Sequence, residues 1–282
     1  MRDKERNLRN NKQILFFFYH IMISIPTLIP STTKKSPQTI PKTIIQTYVN
    51  NKIPEPIYNN LNQILKNNPE YDYRLITDQE AVEIIKTHFD QRTLNAFQQL
   101  ILGAAKGDFV RYIALYLYGG VYLDLDASIN LDLNTFISPH DEFIFFINGD
   151  INLEQFCFMI RPRHPLLLKV IEEMIIRIEK REHNIFKATG PTLFNDVIYN
   201  TMNNTNIYDT NANLTPNQRG ECYGKYNQFM GGKLVLRHGN DIEDKFNFRI
   251  KNADKMMYEN TESISYFRYD PSSNIHYIYR LF

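Results

Sequence analysis

The sequence predicts an α/β domain with a mostly parallel central sheet. Three observations carry that expectation. From residue 40 onward, short apolar runs bounded by turn residues alternate with helical apolar patterns, the order that gives a sheet covered by helices. Hydrophobic residues make up 43% of the 282-residue chain and charged residues 22%. That is enough for the core of one sizeable domain or two small ones. Finally, YGGVYLDLDAS, Tyr118 to Ser128, runs from a double glycine through a short apolar strand into two carboxylates, Asp124 and Asp126.

The elements follow in order. IPKTIIQTY, residues 40–48, reads as the first buried strand. Residues 57–67 place Ile57, Leu61, Ile64 and Leu65 on one helical face. Tyr71 to Ile76 alternates as a strand does, and Thr77-Asp-Gln-Glu80 is a capping box opening a helix through His88. A further helix is expected over 92–102. Residues 104–118 repeat apolar side chains at Val110, Ile113, Ala114 and Leu117, and Gly119-Gly120 stops the helix. Val121 to Leu125, Phe143 to Ile147 and Phe156 to Ile160 read as strands. Pro165 suits the first turn of a long helix reaching Arg181. TGPT, residues 189–192, opens another helix, and strands are expected at Leu234–Arg237 and Ile275–Tyr279.

Residues 1–39 differ in character. Residues 1–12 are polar and on balance basic, and residues 14–29 are almost wholly apolar, interrupted by His20, Ser24 and Pro26. A basic flank before an apolar run fits a signal-anchor that leaves the following domain translocated. The run is shorter than the roughly 20 residues of a full span. A cleaved signal peptide or an additional apolar helix is the competing reading, and the domain stays in the cytoplasm if residues 14–29 do not insert. Residues 30–39 read as a linker. The division is therefore 1–39 as basic terminus, anchor-like segment and linker, and 40–282 as the folded domain. Asn203 and Asn213 begin glycosylation triplets that matter only in a secretory compartment. Two cysteines, Cys157 and Cys222, exclude a disulfide-dense scaffold. A formal charge of +1, with no basic stripe interleaved with aromatics, argues against nucleic acid as a partner.

An apolar strand that ends in two carboxylates needs a reason. In open α/β sheets, ligands bind beyond the carboxyl ends of the strands. Side chains two apart on a strand point to one side, so Asp124 and Asp126 are placed to converge. A divalent cation relieves their repulsion, and hard oxygen donors suit Mg2+ or Mn2+ shared with substrate phosphates. A bare D-x-D is more often a pair of solvated turn residues; the preceding strand and glycine stop raise its weight. Asp108 and Arg111, three apart, share a helix face. Alone they would be a local ion pair worth well under about 1 kcal/mol. On the helix leading into the D-x-D strand, they are candidates to hold sugar hydroxyls or a phosphate.

The pattern Ala104, Asp108, Arg111-Tyr112, Leu115-Tyr116, Gly119-Gly120, Tyr122, Asp124 and Asp126 resembles a family of DXD-containing glycosyltransferases. That family includes the yeast initiating α-1,6-mannosyltransferase and capsular polysaccharide sugar transferases (glycosyltransferase family 32-like). The opening IPKTIIQTY is similar to the family's I-P-K-x-I-H-Q-x-W, with Ile45 for His and Tyr48 for Trp. RPRHPLL (161–167) and ATGP (188–191) resemble two later family segments. The resemblance covers roughly residues 40–200. The closing NIHYIYRLF lacks the family's tryptophan.

The resemblance implies a GT-A fold, a Rossmann-like nucleotide-sugar-binding sandwich. It implies an enzyme that moves a hexose from a UDP- or GDP-sugar to a glycan or other hydroxyl acceptor with retention of configuration, using Mn2+ or Mg2+. Asp126, with Asp124 and the terminal His276, would be the metal ligands. Tyr48, Asp108, Arg111 and Asp124 would bind the donor, and Asp124, Asp126 and Arg111 would form the catalytic set. Thr189 and Gly190 would line the acceptor side. His276 packed beside a terminal strand, His238 as its rival, and TGP as a plain helix start are the competing readings. A membrane-held, Golgi-like setting follows only if residues 14–29 insert. Two other readings stay open. One is a degenerate transferase fold that binds sugar nucleotide or glycan without turnover. The other is a haloacid-dehalogenase-like phosphatase with Asp as nucleophile, for which Ser128 and Asn148-Gly-Asp150 make an incomplete set.

Overall fold

A computed structural model describes residues 21–147 and 153–203, together with four short strands beyond them. The elements run β1 (Met22–Ser24), β2 (Leu28–Ile29), β3 (Thr43–Tyr48), β4 (Lys52–Pro54), α1 (Glu55–Asn67), β5 (Asp72–Thr77), α2 (Asp78–His88), α3 (Gln91–Gln99) and α4 (Gly103–Tyr118). Then come β6 (Gly120–Leu123), β7 (Ser128–Ile129), α5 (Leu133–Phe136), β8 (Phe143–Ile147), β9 (Leu153–Ile160), α6 (Pro165–Glu179), α7 (Ile185–Ala188) and α8 (Pro191–Asn203). The later strands are β10 (Lys233–Leu236), β11 (Phe246–Asn247), β12 (Tyr269–Asp270) and β13 (Ile275–His276).

The central sheet has the order β10-β8-β9-β6-β3-β5-β2. Five of these strands run one way; β9 and β2 are reversed. Period-two alternation divides its side chains between two cores. Ile45, Tyr122, Phe143, Phe145 and Phe158 pack with α2, α3, α4, α6 and α8. Ile44, Val121, Leu123, Ile144 and Phe146 pack with α1 and α5 on the other face. The result is the three-layer α/β sandwich expected from the alternation of strands and helices.

The chain leaves β3 for β5 on one side and crosses back to β6 on the other. The sheet therefore has its switch point between β3 and β6, where a crevice opens at the carboxyl ends of the strands. β3 pairs with β5 along its whole length, Thr43 to Tyr48, but with β6 only at Ile44 and Ile45. The two strands part beyond that register, and Tyr48 and Asp124 stand on opposite banks.

Local signals explain most boundaries. Thr77 caps α2 by accepting from the Glu80 N–H at 3.2 Å. Half of the capping box fails to close, because the Glu80 carboxylate turns to Arg74 at 2.7 Å. The long helix after Pro165 begins with His164, whose Nδ1 accepts from the Leu166 N–H at 3.2 Å. Gly119 and Gly120 have φ of 61° and 110°. A Cβ on Gly120 would lie 2.5 Å from the Thr43 carbonyl oxygen, so α4 can turn into β6 only through glycine.

Residues 21–39 depart from the sequence expectation. Over 21–29, where the apolar segment was expected to continue, β1 pairs antiparallel with β4, and β2 forms the antiparallel edge beside β5. Ile25 is buried. The expected linker lies along the domain: Ser31 N–H donates to Asp72 at 2.8 Å, Ser36 N–H to Glu70 at 2.7 Å and Thr39 N–H to the Pro139 carbonyl at 2.8 Å. The buried Lys42 ammonium ties the segment down, reaching Glu70 at 2.6 Å and also the Ser36 hydroxyl and Asn134. β-Branched and apolar residues such as Ile23 and Ile29 serve a strand as readily as a span, so apolar content alone does not tell the two apart over 21–29. Residues 14–20 lie outside the described residues. Among the described residues, no helix is long and apolar enough to cross a membrane. Cys157 is buried on β9; Cys222, Asn213, His238 and 148–150 lie outside the described residues, and of Asn203 only the main chain, ending α8, is described.

Gly120→Ala should lower the unfolding free energy by about 2 kcal/mol or more, read from the urea midpoint. His164 is held neutral by burial, aided by Arg161 against the pull of Glu142, and its pKa falls from 6.5 to about 4. The unfolded chain therefore takes up the proton first, and this contribution is lost as pH falls from about 6.5 through about 4. His164→Asn keeps a capping acceptor, so its stability should decline less than that of the parent between pH 7 and 4.5 in paired urea titrations.

Candidate functional site at the β3–β6 crevice

Helix rise and strand rise together fix where the site residues meet. From Arg111 to Tyr118 the helix descends roughly 10 Å at about 1.5 Å per residue. From Gly120 to Asp124 the strand climbs back roughly 13 Å at about 3.3 Å per residue. Asp124 thus returns to the level of Arg111. The Arg111 Nη2 is 3.0 Å from Asp108 Oδ1 and 3.0 Å from Asp124 Oδ1. Its Nη1 donates to the Gln155 carbonyl on β9 at 2.8 Å, and its guanidinium lies over the Tyr122 ring at 4.7 Å. Arg111 and Asp108 are both buried. The Arg111 Nε, also buried, has no hydrogen-bond acceptor among the described residues.

Asp124 is fixed at every polar atom of its main chain. Its N–H donates to Phe156 at 2.7 Å, and its carbonyl accepts from Gln46 Nε2 at 3.1 Å and from the Ala127 N–H at 3.0 Å. Its carboxylate also accepts from the Tyr122 hydroxyl at 2.7 Å. Tyr122 and Asp124 are two apart on one face of the strand, as alternation requires. β6 itself ends at Leu123. Asp126 therefore stands in the turn closed by the Ala127–Asp124 bond, and its proximity to Asp124 comes from that turn rather than from strand pleating. Leu125 and Ala127 are buried on either side of it, while Asp124 and Asp126 are half-buried at the crevice.

Behind this pair lies a polar cluster inside the core. Thr189 Oγ1 donates to Asp108 Oδ2 at 3.0 Å. The Tyr112 hydroxyl donates to the Thr189 carbonyl at 3.2 Å, and Gln155 Nε2 reaches both that carbonyl, at 3.3 Å, and the Tyr112 hydroxyl. Burial raises the Asp108 carboxyl to about 6, with Asp124 adding to the rise and Arg111 and Thr189 opposing it. Burial opposes the Arg111 charge, yet Asp124, Tyr122 and Asp108 hold its pKa above the ordinary arginine value.

The structure brings together Asp108, Arg111, Asp124 and Asp126, with Tyr48 across the crevice at the end of β3. Tyr48 is half-buried, and burial pushes its hydroxyl up. Thr189 and Gly190, expected on the acceptor side, are both buried, and Thr189 faces Asp108 from within the core. A threonine hydroxyl beside a desolvated carboxylate is consumed by that bond. The side chain of His276 lies outside the described residues; its main chain pairs with Tyr269 in β12–β13. Among the described residues, no group of three metal-ligating side chains occurs. The two carboxylates of the turn are nonetheless a hard-oxygen set of the kind that holds Mg2+ or Mn2+ with ligand phosphates and water.

The sequence reading gave no role to Gln46, Tyr73 or Gln155, and named Tyr122 only within the family-like pattern. Gln46 follows two isoleucines and Gln155 precedes the apolar run Phe156 to Ile160, and an amide so placed was the available signal; Tyr73, between Asp72 and Arg74, gave none.

Residues 54–144 match the family described as a glycosyltransferase sugar-binding region containing a DXD motif. The mannosyl phosphorylinositol ceramide synthase of Saccharomyces cerevisiae is 33% identical over 140 residues, 49% of this chain and 35% of that protein. Inositol phosphoceramide mannosyltransferase 3 of Schizosaccharomyces pombe is 30% identical over 164 residues, 57% of this chain and 45% of its own length. The chain thus spans less than half the length of these curated relatives. Among solved structures, the PaToxG glycosyltransferase superposes with a TM-score of 0.51 at 16% identity, covering 69% of this chain and 88% of that one. The fold is accordingly of the GT-A type expected from the resemblance.

A prediction concerns the buried cluster. The Thr189 hydrogen bond favours the ionised form of Asp108, so Thr189→Val should raise the Asp108 pKa above its parent value. Carboxyl 13C titration of the two proteins would read the shift, and an unchanged or lowered pKa would contradict the arrangement.

Proposed function

We propose that this chain, which carries a DXD-containing glycosyltransferase sugar-binding region over residues 54–144, transfers a hexose from a UDP- or GDP-sugar to a hydroxyl acceptor on a glycan or lipid. The observation that carries the reading is the convergence of Asp108, Arg111 and Asp124 through one buried guanidinium, with Asp126 on the adjoining turn. Both relatives carry mannose in their names, one as a mannosyl phosphorylinositol ceramide synthase and the other as an inositol phosphoceramide mannosyltransferase. A mannosyl donor and a membrane lipid acceptor are therefore the first choices within the class.

In this reading Asp126, with Asp124 as its partner in the turn, would hold a Mn2+ or Mg2+ ion at the donor site. The ion supplies stabilisation of negative charge on the leaving diphosphate. Tyr48 stacks near the base. Asp108 accepts hydroxyls of the donor sugar, and Arg111 fixes Asp108 and Asp124 at the distance the donor needs. The bond from the anomeric carbon to the diphosphate oxygen breaks, with its electron pair leaving on the oxygen. The acceptor oxygen bonds to the same face of the carbon, and its proton passes to the departing diphosphate. Asp108 and Asp124 are both tied to Arg111, which supports front-side attack with retention over a covalent carboxylate intermediate. The same pairing tells against Asp124 as a phosphatase nucleophile. Thr189 and Gly190 serve from behind Asp108 rather than on the acceptor face.

Membrane attachment through the apolar residues before Ile21 belongs to this reading as well. β1 pairs with Lys52–Pro54, four residues beyond Tyr48, so the chain enters the fold beside the donor crevice. A Golgi-like lumen is the compartment in which such attachment would place the domain.

The test is nucleotide release by the full chain from a panel of UDP- and GDP-sugars, with Mn2+ or Mg2+ and with glycan and lipid acceptors. One donor should turn over, and Asp126→Ala should lower kcat/KM by about a hundredfold or more. Metal-dependent binding of a sugar nucleotide without release would instead identify a degenerate, non-catalytic fold. Phosphate release from simple phosphoesters would restore the phosphatase.

A further inference from the structure

β3 is a central strand, and its middle is apolar except at one position. Gln46 follows Ile44 and Ile45 and is 1% exposed. A buried amide is costly unless both its ends are bonded. Both are: Nε2 donates to the Asp124 carbonyl at 3.1 Å, and Oε1 accepts from the buried Tyr73 hydroxyl at 3.1 Å. The partners fix the orientation of the amide. A carbonyl only accepts, and the Tyr73 hydroxyl must donate to find a place on the other side.

The location gives the bridge its meaning. Main-chain pairing between β3 and β6 stops at Ile45 and Tyr122. The next residues on each side part to form the crevice. Gln46 spans that gap with its side chain and grips the carbonyl from which the Asp124–Ala127 turn springs. On the other face of the sheet, the Thr47 hydroxyl stands 3.4 Å from the Tyr122 hydroxyl, a second side-chain contact across the same gap. On the opposite side, the Asp124 N–H is held by Phe156. The peptide units flanking Asp124 are therefore clamped from β9 and from β3, and the direction in which Asp126 leaves the strand depends on both.

We propose that Gln46, supported by Tyr73, is a positioning residue that sets the orientation of the Asp124-Leu125-Asp126 turn across the floor of the crevice. It touches neither donor nor metal; it acts through the Asp124 carbonyl. The inference rests on the transferase reading for its functional consequence, but its structural content is independent of that reading.

Three variants of the full chain test it: Gln46→Leu, Gln46→Glu and Tyr73→Phe. Amide hydrogen exchange over residues 124–127 reads the turn directly, whether or not the protein is a transferase. Mn2+ titration in the presence of UDP or GDP, followed by the electron paramagnetic resonance of the free ion, reads the site without turnover. Gln46→Leu should speed exchange at the Ala127 N–H and weaken Mn2+–nucleotide binding, each by about tenfold, as expected for the loss of one buried hydrogen bond. Tyr73→Phe should give a smaller effect of the same sign. Gln46→Glu separates positioning from packing. Protonated, the side chain can still donate to the Asp124 carbonyl; ionised, it places a negative oxygen against it. Its exchange rate and Mn2+ affinity should match the parent at acidic pH and move toward Gln46→Leu as pH rises. Parental exchange and Mn2+ affinity in Gln46→Leu would overturn the proposal. So would a Gln46→Glu profile parallel to that of the parent, which also covers the case in which Gln46→Leu folds poorly. Should the parent bind neither Mn2+–nucleotide, the transferase reading fails, and the exchange rates alone judge Gln46.

Discussion

One guanidinium shared by two carboxylates is the constraint around which the crevice is assembled. Arg111 and Asp108 come from α4, Asp124 from the end of β6, and the Gln155 carbonyl from β9. Removing Arg111 would leave Asp108 and Asp124 uncompensated against each other, at a cost of several kcal/mol. The three elements consequently reach their final arrangement together. The net charge of this cluster is negative, two carboxylates against one cation, before Asp126 is counted. A site of that sign favours a cation at its mouth, and the cation in turn admits an anionic ligand.

The double glycine belongs to the same constraint. A longer connection between α4 and β6 would slide Asp124 past the level of Arg111. A residue with a Cβ at Gly120 would push the strand away from Thr43. The spacing from Arg111 through Gly119-Gly120 to Asp124 is thus a length matched between a helix going down and a strand coming up.

Much of this was legible in the sequence, because the signals were local. The glycine stop, the apolar run and the D-x-D lie within nine residues, and helix periodicity put Asp108 and Arg111 on one face. Other parts depended on distant partners. The Asp108–Arg111 pair resembled a surface ion pair until Asp124 and Thr189 closed over it. Thr189 belonged to a recognisable TGP, yet only the packing of α7 and α8 against α4 turned its hydroxyl inward. Gln46 and Gln155 were polar interruptions in apolar strands, and periodicity does not say what lies across a sheet. The segment 21–29 was read from its apolar content, which does not distinguish an edge strand from a membrane segment.

That segment has a further consequence. β2 covers the outer edge of β5, and Ser36 supplies one of the partners of the buried Lys42 ammonium. A chain trimmed to begin at residue 40 would present β5 as a bare strand edge and leave Lys42 short of an acceptor. Exposed edges of that kind recruit other strands, so such a fragment would be prone to self-association. The N-terminal strap therefore acts as a guard against aggregation as well as a part of the fold, and soluble material is best sought with residues 21–39 retained.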